Sequence, residues 1–250
     1  MRYGSFNIDS PRITIPLTPA THTLNMDFKS LIVETVGSPP MHVINDFDSR
    51  RVRFSPIIQS KNNTSKRMDL YYLTKDDVLV KPVLITEKLR VPFDVKPYPG
   101  SDTLNLSLAV EESTNLFHNI RRLDGLVLSM VHHLQGPDKP IEAFEYAQSK
   151  ALKPPKEDKY NPTIALKLLR DTKIQRIGTN DTLGPMQIEK GDAYVTLRIS
   201  HVWFMGTGGF GLQLQALRVK WEPYTNPIEA LGEWEPEKEN LPPIKSQFSD

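Results

Sequence analysis

Aromatic and basic side chains alternate along three stretches of this chain, and together they could hold a polyanion that carries flat rings. The first stretch contains Lys88, Arg90, Phe93, Lys96 and Tyr98. The second runs from Arg198 to Trp203, Phe204 and Phe210, and the third holds Arg218, Lys220 and Trp221. Unpaired bases need planar faces to stack on, worth about 1–3 kcal/mol per base, and their phosphates need cations. This interleaving therefore suits a protein that holds single-stranded nucleic acid. Lys153, Lys156 and Lys159 lie in KPPKEDKYNP (153–162), where three prolines exclude regular structure. A mobile basic loop there is expected to act as a clamp on the same ligand.

Other chemistry finds less support. Gly206 to Gly211 reads GTGGFG and matches the glycine fingerprint of dinucleotide sites, which needs a helix directly after it to meet the pyrophosphate. The following LQLQALRVKW alternates as a strand, so a glycine-rich hairpin is predicted instead. His118, His132 and His133 share one predicted helix, but adjacent helical residues point about 100° apart and no carboxylate completes a ligand set. Neither metal nor cofactor is predicted. Asp46, Asp48, Asp76 and Asp77 fall in predicted turns, where aspartate bonds its own backbone. No serine or threonine stands in a nucleophile-elbow context and the chain has no cysteine. The expectation is a protein without catalytic residues.

The elements that would carry these side chains are mostly strands. Leu104, Leu106, Leu108 and Val110 alternate with smaller or polar residues, as a strand with one buried face does. Tyr194–Phe204 alternates with Val195, Leu197 and Ile199 on one face. Leu212–Trp221 alternates too, with a slip at Ala216-Leu217 that predicts a β-bulge. MDLYYL (68–73) and VLVKPVLI (78–85) form a predicted strand pair, and Ile164–Leu169 a short strand. Ile13–Leu17 and Leu31–Val36 read as edge strands and loops. Between these, Leu116 or Phe117, Ile120, Leu123, Val127, Met130 or Val131, and Leu134 recur every three to four residues. Ser113 or Thr114 serves as N-cap and Gly136-Pro137 as stop. A second helix is predicted from Asp138 to about Leu152.

The net charge of +1 conceals two opposed parts. Residues 222–250 hold seven acidic side chains against Lys238 and Lys245, leaving the tail at −5 and the body at +6. A cationic body attracts polyanions and its own tail competes for that surface. Within the tail, Glu233, Glu235, Glu237, Glu239, Phe248 and Asp250 could engage partner proteins once displaced. The lack of cysteine fits a reducing intracellular compartment, and no apolar run reaches the length of a membrane span. A soluble, untargeted protein is expected.

Taken in order, Pro92-Phe93, Leu104–Leu108, Leu123-Asp124, Tyr160-Asn161-Pro162 and Gly206–Trp221 resemble the OB-fold single-stranded-DNA-binding proteins of bacteriophages and large DNA viruses. Phe248, close to the end of an acidic tail, adds to the resemblance. It implies a mainly β fold: an OB-type barrel over residues 1–221, a helical insertion at about 112–152, and a flexible acidic tail at 222–250. It also implies a role in DNA replication, recombination and repair inside an infected host cell, with a DNA polymerase or other replication protein as partner through the tail. Homo-oligomers are compatible with this reading. The alternative is a structural virion protein whose barrel binds protein neighbours, and a third reading is a nucleic-acid-processing enzyme. Residues 1–75 carry no motif of the family.

Overall fold

Residues 28–35, 37–59, 65–97, 103–179 and 181–224 are described by the computed structural model. Their strands are β1 (Met41–Val43), β2 (Val52–Phe54), β3 (Ile58–Gln59), β4 (Lys66–Leu73), β5 (Leu79–Ile85), β6 (Leu89–Val91) and β7 (Lys96–Pro97). The series continues with β8 (Leu104–Ala109), β9 (Gln148–Ser149), β10 (Leu152–Lys153), β11 (Thr163–Arg176), β12 (Gly191–Phe204) and β13 (Phe210–Pro223). Two helices, α1 (Asn115–Gln135) and α2 (Glu142–Ala147), separate β8 from β9.

Five strands close on themselves. β6 pairs with β8, β8 with β11, β11 with β13, β13 with β12, and β12 returns to β6. Every pair is antiparallel except β11 with β13. This ring is an OB-type barrel, and closure leaves its strands without free edges. Alternation supplies the interior: Leu106 and Leu108 of β8, Ile164 and Leu166 of β11, Val195, Leu197 and Ile199 of β12 are all fully buried. The predicted strands match β8, β12 and β13 to within three residues because each has one apolar face, whereas β11 runs to Arg176, past the short strand predicted to end at Leu169.

α1 closes the barrel with the stripe Phe117, Ile120, Leu123, Val127, Met130 and Val131. Thr114 caps it, its Oγ1 accepting from Phe117 N at 3.2 Å, and Gly136 ends it, as the sequence predicts. The second helix is shorter than predicted. α2 stops at Ala147 because Asp124 of α1 holds the next residues extended: its carboxylate accepts from Ala151 N and Leu152 N at 3.0 Å each. Gln148 Nε2 donates to the Asp124 carbonyl at 2.7 Å. β9 and β10 then attach to β13 and β11 respectively, filling the wedge where those two strands diverge.

The N-terminal part is built onto β12. That strand runs for 14 residues and pairs in succession with β6, β5 and β4 along one edge. β4 and β5 form the predicted pair, joined through Tyr72 opposite Val80, and β1, β2 and β3 add to them. Asp48 caps a short 3-10 turn by accepting from Arg50 N, and Asp77 sits in the β4–β5 turn at φ 58°, the local roles expected of turn aspartates. Of the run Leu31–Val36, Leu31 ends a 3-10 turn and Ile32 makes only an isolated bridge to Phe54, while Val36 lies outside the described residues. The predicted strand at Ile13–Leu17 lies outside the described residues. No helix among the described residues is long and apolar enough to cross a membrane.

Candidate nucleic-acid interface

The outer phase of β12 and β13 carries the polar side chains that the barrel interior excludes. Facing pairs along this ribbon are Tyr194 with Lys220, Thr196 with Arg218, Arg198 with Gln215, His201 with Gln213, and Trp203 with Gly211. Two bulges set which residues face out. One skips Leu217, where the sequence predicts a slip, and the other lies between Ile199 and His201. The second reverses the phase of β12. Val195, Leu197 and Ile199 point in before it, whereas Val202 and Phe204 point in after it.

That reversal corrects two of the expected platforms. Phe204 is 7% exposed and Phe210 1%, and their rings lie 6.4 Å apart in the core, so neither offers a face to a base. Trp203 takes the outer position. Its indole lies against the backbone of Gly211, where an added Cβ would stand 2.8 Å from the ring, so glycine is what lets the ring pack this close to the sheet. Trp221 is buried, with its indole N–H donating to the Glu189 carbonyl at 3.1 Å.

Cross-strand register then assembles a row that no single stretch of sequence contains. Lys96 lies opposite Asn105, Asn105 opposite Lys167, Lys167 beside Gln215, and Gln215 opposite Arg198. Four inter-strand steps of about 4.8 Å make the row about 19 Å long across the curved sheet. No acidic residue belongs to it. Beside Asn105 and Lys167 on β8 and β11 the outward positions are small: Ser107 opposite Ala165, and Ala109 opposite Thr163. A ligand can therefore approach the sheet between the cations. Arg198 Nε donates to Gln215 Oε1 at 3.1 Å, which fixes the guanidinium over the ribbon. A second basic group follows, with Lys173 beside Arg218 and Gln175 beside Lys220, and Arg218 donating to Gln175 Oε1 at 3.0 Å.

His201 reports the field at the centre of this face. Burial holds its pKa below the usual value, and the charges of Arg67, Lys167 and Arg198 act in the same direction against the opposing pull of Asp69. It is thus a neutral ring at pH 7, with Nδ1 2.9 Å from Ser200 Oγ. The three cations whose charges act on it come from β4, β11 and β12.

Several of the expected contacts already have partners in the fold. Lys88 is held by Glu222 and lies 3.5 Å from Asp192, which raises its pKa chiefly through the Glu222 bond. Arg90 lies over the Tyr224 ring at 5.2 Å. Lys96 has Asp94 at 3.9 Å. Phe93 is 60% exposed at the rim beside β7. Lys153 ends β10 opposite Thr163 of β11, Lys156 is exposed, and Lys159 pairs with Glu157 at 2.8 Å and lies over Tyr160. Glu222 stands in β13, so the barrel extends past residue 221. Tyr98 and the tail residues Glu233, Glu235, Glu237, Glu239, Phe248 and Asp250 lie outside the described residues.

Sequence reasoning missed Lys167, His201 and Arg67. Lys167 had a signal: it stands on the polar phase of IALKLL, between inward Leu166 and Leu168. The glycine-rich segment is a hairpin, as predicted, with Met205 N donating to Gly209 O at 2.7 Å and Gly208 at φ 93°. His132 contacts the Lys139 carbonyl and His133 stacks on Phe28, so neither ring faces this surface.

The sequence matches no protein-family model and no curated protein. Among solved structures, the chain is similar to the single-stranded DNA-binding protein from bacteriophage Enc34 in complex with single-stranded DNA. Identity is 11%, the TM-score 0.36, and coverage 68% of this chain and 97% of that one. It is also similar to gp2.5, a single-stranded DNA-binding protein encoded by bacteriophage T7, at 10% identity and a TM-score of 0.36, covering 65% and 99%. A further structure of the Enc34 protein gives 11%, 0.35, 70% and 99%.

Proposed function

We propose that this protein binds single-stranded DNA, without catalysis, on the outer face of the barrel across β8, β11, β13 and β12. The observation that carries the reading is the transverse row Lys96, Asn105, Lys167, Gln215 and Arg198, with small residues beside it and Trp203 packed over Gly211 on the same outer face. Cations spaced along a groove neutralise phosphates, and an indole laid on a sheet offers a π-face that any base can use. The second and third strands of an OB barrel and the loops bounding them form its usual oligonucleotide surface. Here those are β8, β11, the connection after β6 that carries Phe93 and Lys96, and the 205–209 turn. Arg218 and Lys220 extend the track, and the lysines of the 153–162 connection act as its clamp. In the cell the protein protects exposed strands during replication, recombination and repair. Its acidic tail shields the cationic face until DNA displaces it, and then engages a replication partner.

Titrating labelled oligothymidine at 50 and 200 mM salt tests this. Five phosphate contacts, by Lys96, Lys167, Arg198, Arg218 and Lys220, give a log–log slope of about −3.5, or roughly a hundredfold loss over that range. Absence of binding, or binding indifferent to salt, overturns the reading and is what a capsid-type component would give.

A further inference from the structure

We propose that the N-terminal strands are part of the DNA site, with Arg67 of β4 supplying a phosphate contact that carries the bound strand off the barrel and onto β4 and β3. The inference rests on the single-stranded DNA reading and adds to it a portion of the chain outside the five-stranded ring.

Register places the residues. Arg67 lies directly opposite Trp203, and Asp69 directly opposite His201, so the outward face of β4 continues the outward face of β12. Directly opposed residues in an antiparallel pair project to the same side of the sheet. The charge of Arg67 acts on His201 more strongly than those of Lys167 and Arg198 do. Its side chain is 55% exposed. One bond is already made, Nε to Asp69 Oδ1 at 3.1 Å, and Asp69 is itself anchored through its backbone N–H to Ser55 Oγ at 2.9 Å. That contact orients the guanidinium and leaves its terminal N–H groups for a phosphate oxygen. Beyond it, Ile58 of β3 lies opposite Arg67 and is 40% exposed, an apolar surface next to the cation on which a base can rest. Indole, cation and aliphatic side chain thus stand in one line across β12, β4 and β3.

The test is oligothymidine titration of the full chain at two salt concentrations with four variants. Arg67→Gln should weaken binding several-fold at 50 mM salt and flatten the log–log slope by about 0.7, one phosphate contact. Arg67→Lys should keep the wild-type slope, since it keeps the charge, and so separates the contact from any structural role. Lys75→Gln, in the β4–β5 turn and away from this face, should bind as wild type. Arg198→Gln tests the barrel itself. If Arg198→Gln weakens binding while Arg67→Gln leaves affinity and slope unchanged, the extension is refuted and the barrel reading stands. If Arg67→Lys loses as much slope as Arg67→Gln, the phosphate contact is refuted. Should wild type show no salt-sensitive binding, both readings fall.

Discussion

Replacing Asp124 with asparagine should change how the stability of the protein depends on pH. Asp124 is 5% exposed on α1, and its two oxygens accept the backbone N–H groups of Ala151 and Leu152 at 3.0 Å each. Those bonds favour the carboxylate, but burial outweighs them and raises the pKa from 3.8 to about 6. The folded protein therefore binds this proton more tightly than the unfolded chain does. Between pH 3.8 and about 6 the native state holds more protons, so stability from this group is present at the acid end and falls as pH rises through the window. A shift of roughly two units at 1.36 kcal/mol each makes the loss about 3 kcal/mol by pH 7. Asparagine has the same shape and does not titrate. Its carbonyl can accept one of the two N–H groups while its amide faces the other, leaving a donor unpaired at a cost of about 1–3 kcal/mol. Urea denaturation of both proteins at pH 4 and pH 7, followed by tryptophan fluorescence, measures the difference with all other titrations cancelled. The variant's stability relative to wild type should improve by about 2 kcal/mol from pH 4 to pH 7, since part of the effect is already lost at pH 4. A difference that is constant, or that grows more unfavourable to the variant at pH 7, would show that the amide bonds dominate and refute the reasoning.

Two further outcomes follow from the same geometry. Gly211→Ala places a Cβ 2.6 Å from the Ser149 carbonyl oxygen and 2.8 Å from the Trp203 ring, so it should destabilise by about 1–3 kcal/mol and shift tryptophan emission as the indole lifts from the sheet; unchanged emission and urea midpoint would contradict the packing described. Deleting residues 225–250 spares the Lys88–Glu222 pair and should tighten oligothymidine binding several-fold at low salt, with the two proteins converging at high salt; equal affinity at low salt would dismiss shielding by the tail.

What could be read from the sequence follows from how far apart the deciding residues are. Period-two alternation is local, so β8, β12 and β13 were legible, and so was the capped stripe of α1. The bulge at Leu217 was also legible, because two apolar residues in succession break the alternation. The bulge between Ile199 and His201 left no such mark: Ser200 and His201 are both polar, and the run continues into Val202 as though undisturbed. Carrying the phase of Val195, Leu197 and Ile199 straight through would bury Trp203 and expose Phe204. One extra residue in β12 does the opposite, and it also turns His201 to the side occupied by Arg198. The cation row was hidden for a different reason. Lys96, Lys167 and Arg198 are separated by 71 and 31 positions, and only the closure of the ring makes them neighbours. Arg67 is more remote still, since β12 must outrun the barrel before β4 can pair with it. The length of β12 and its one unmarked bulge therefore decide together which aromatic ring lies on the outer face and whether the outward face of β4 continues it. A one-residue deletion at Ser200 would remove both effects, because it would slip Trp203 to the inner phase and take the outward face of β4 out of register with Arg198.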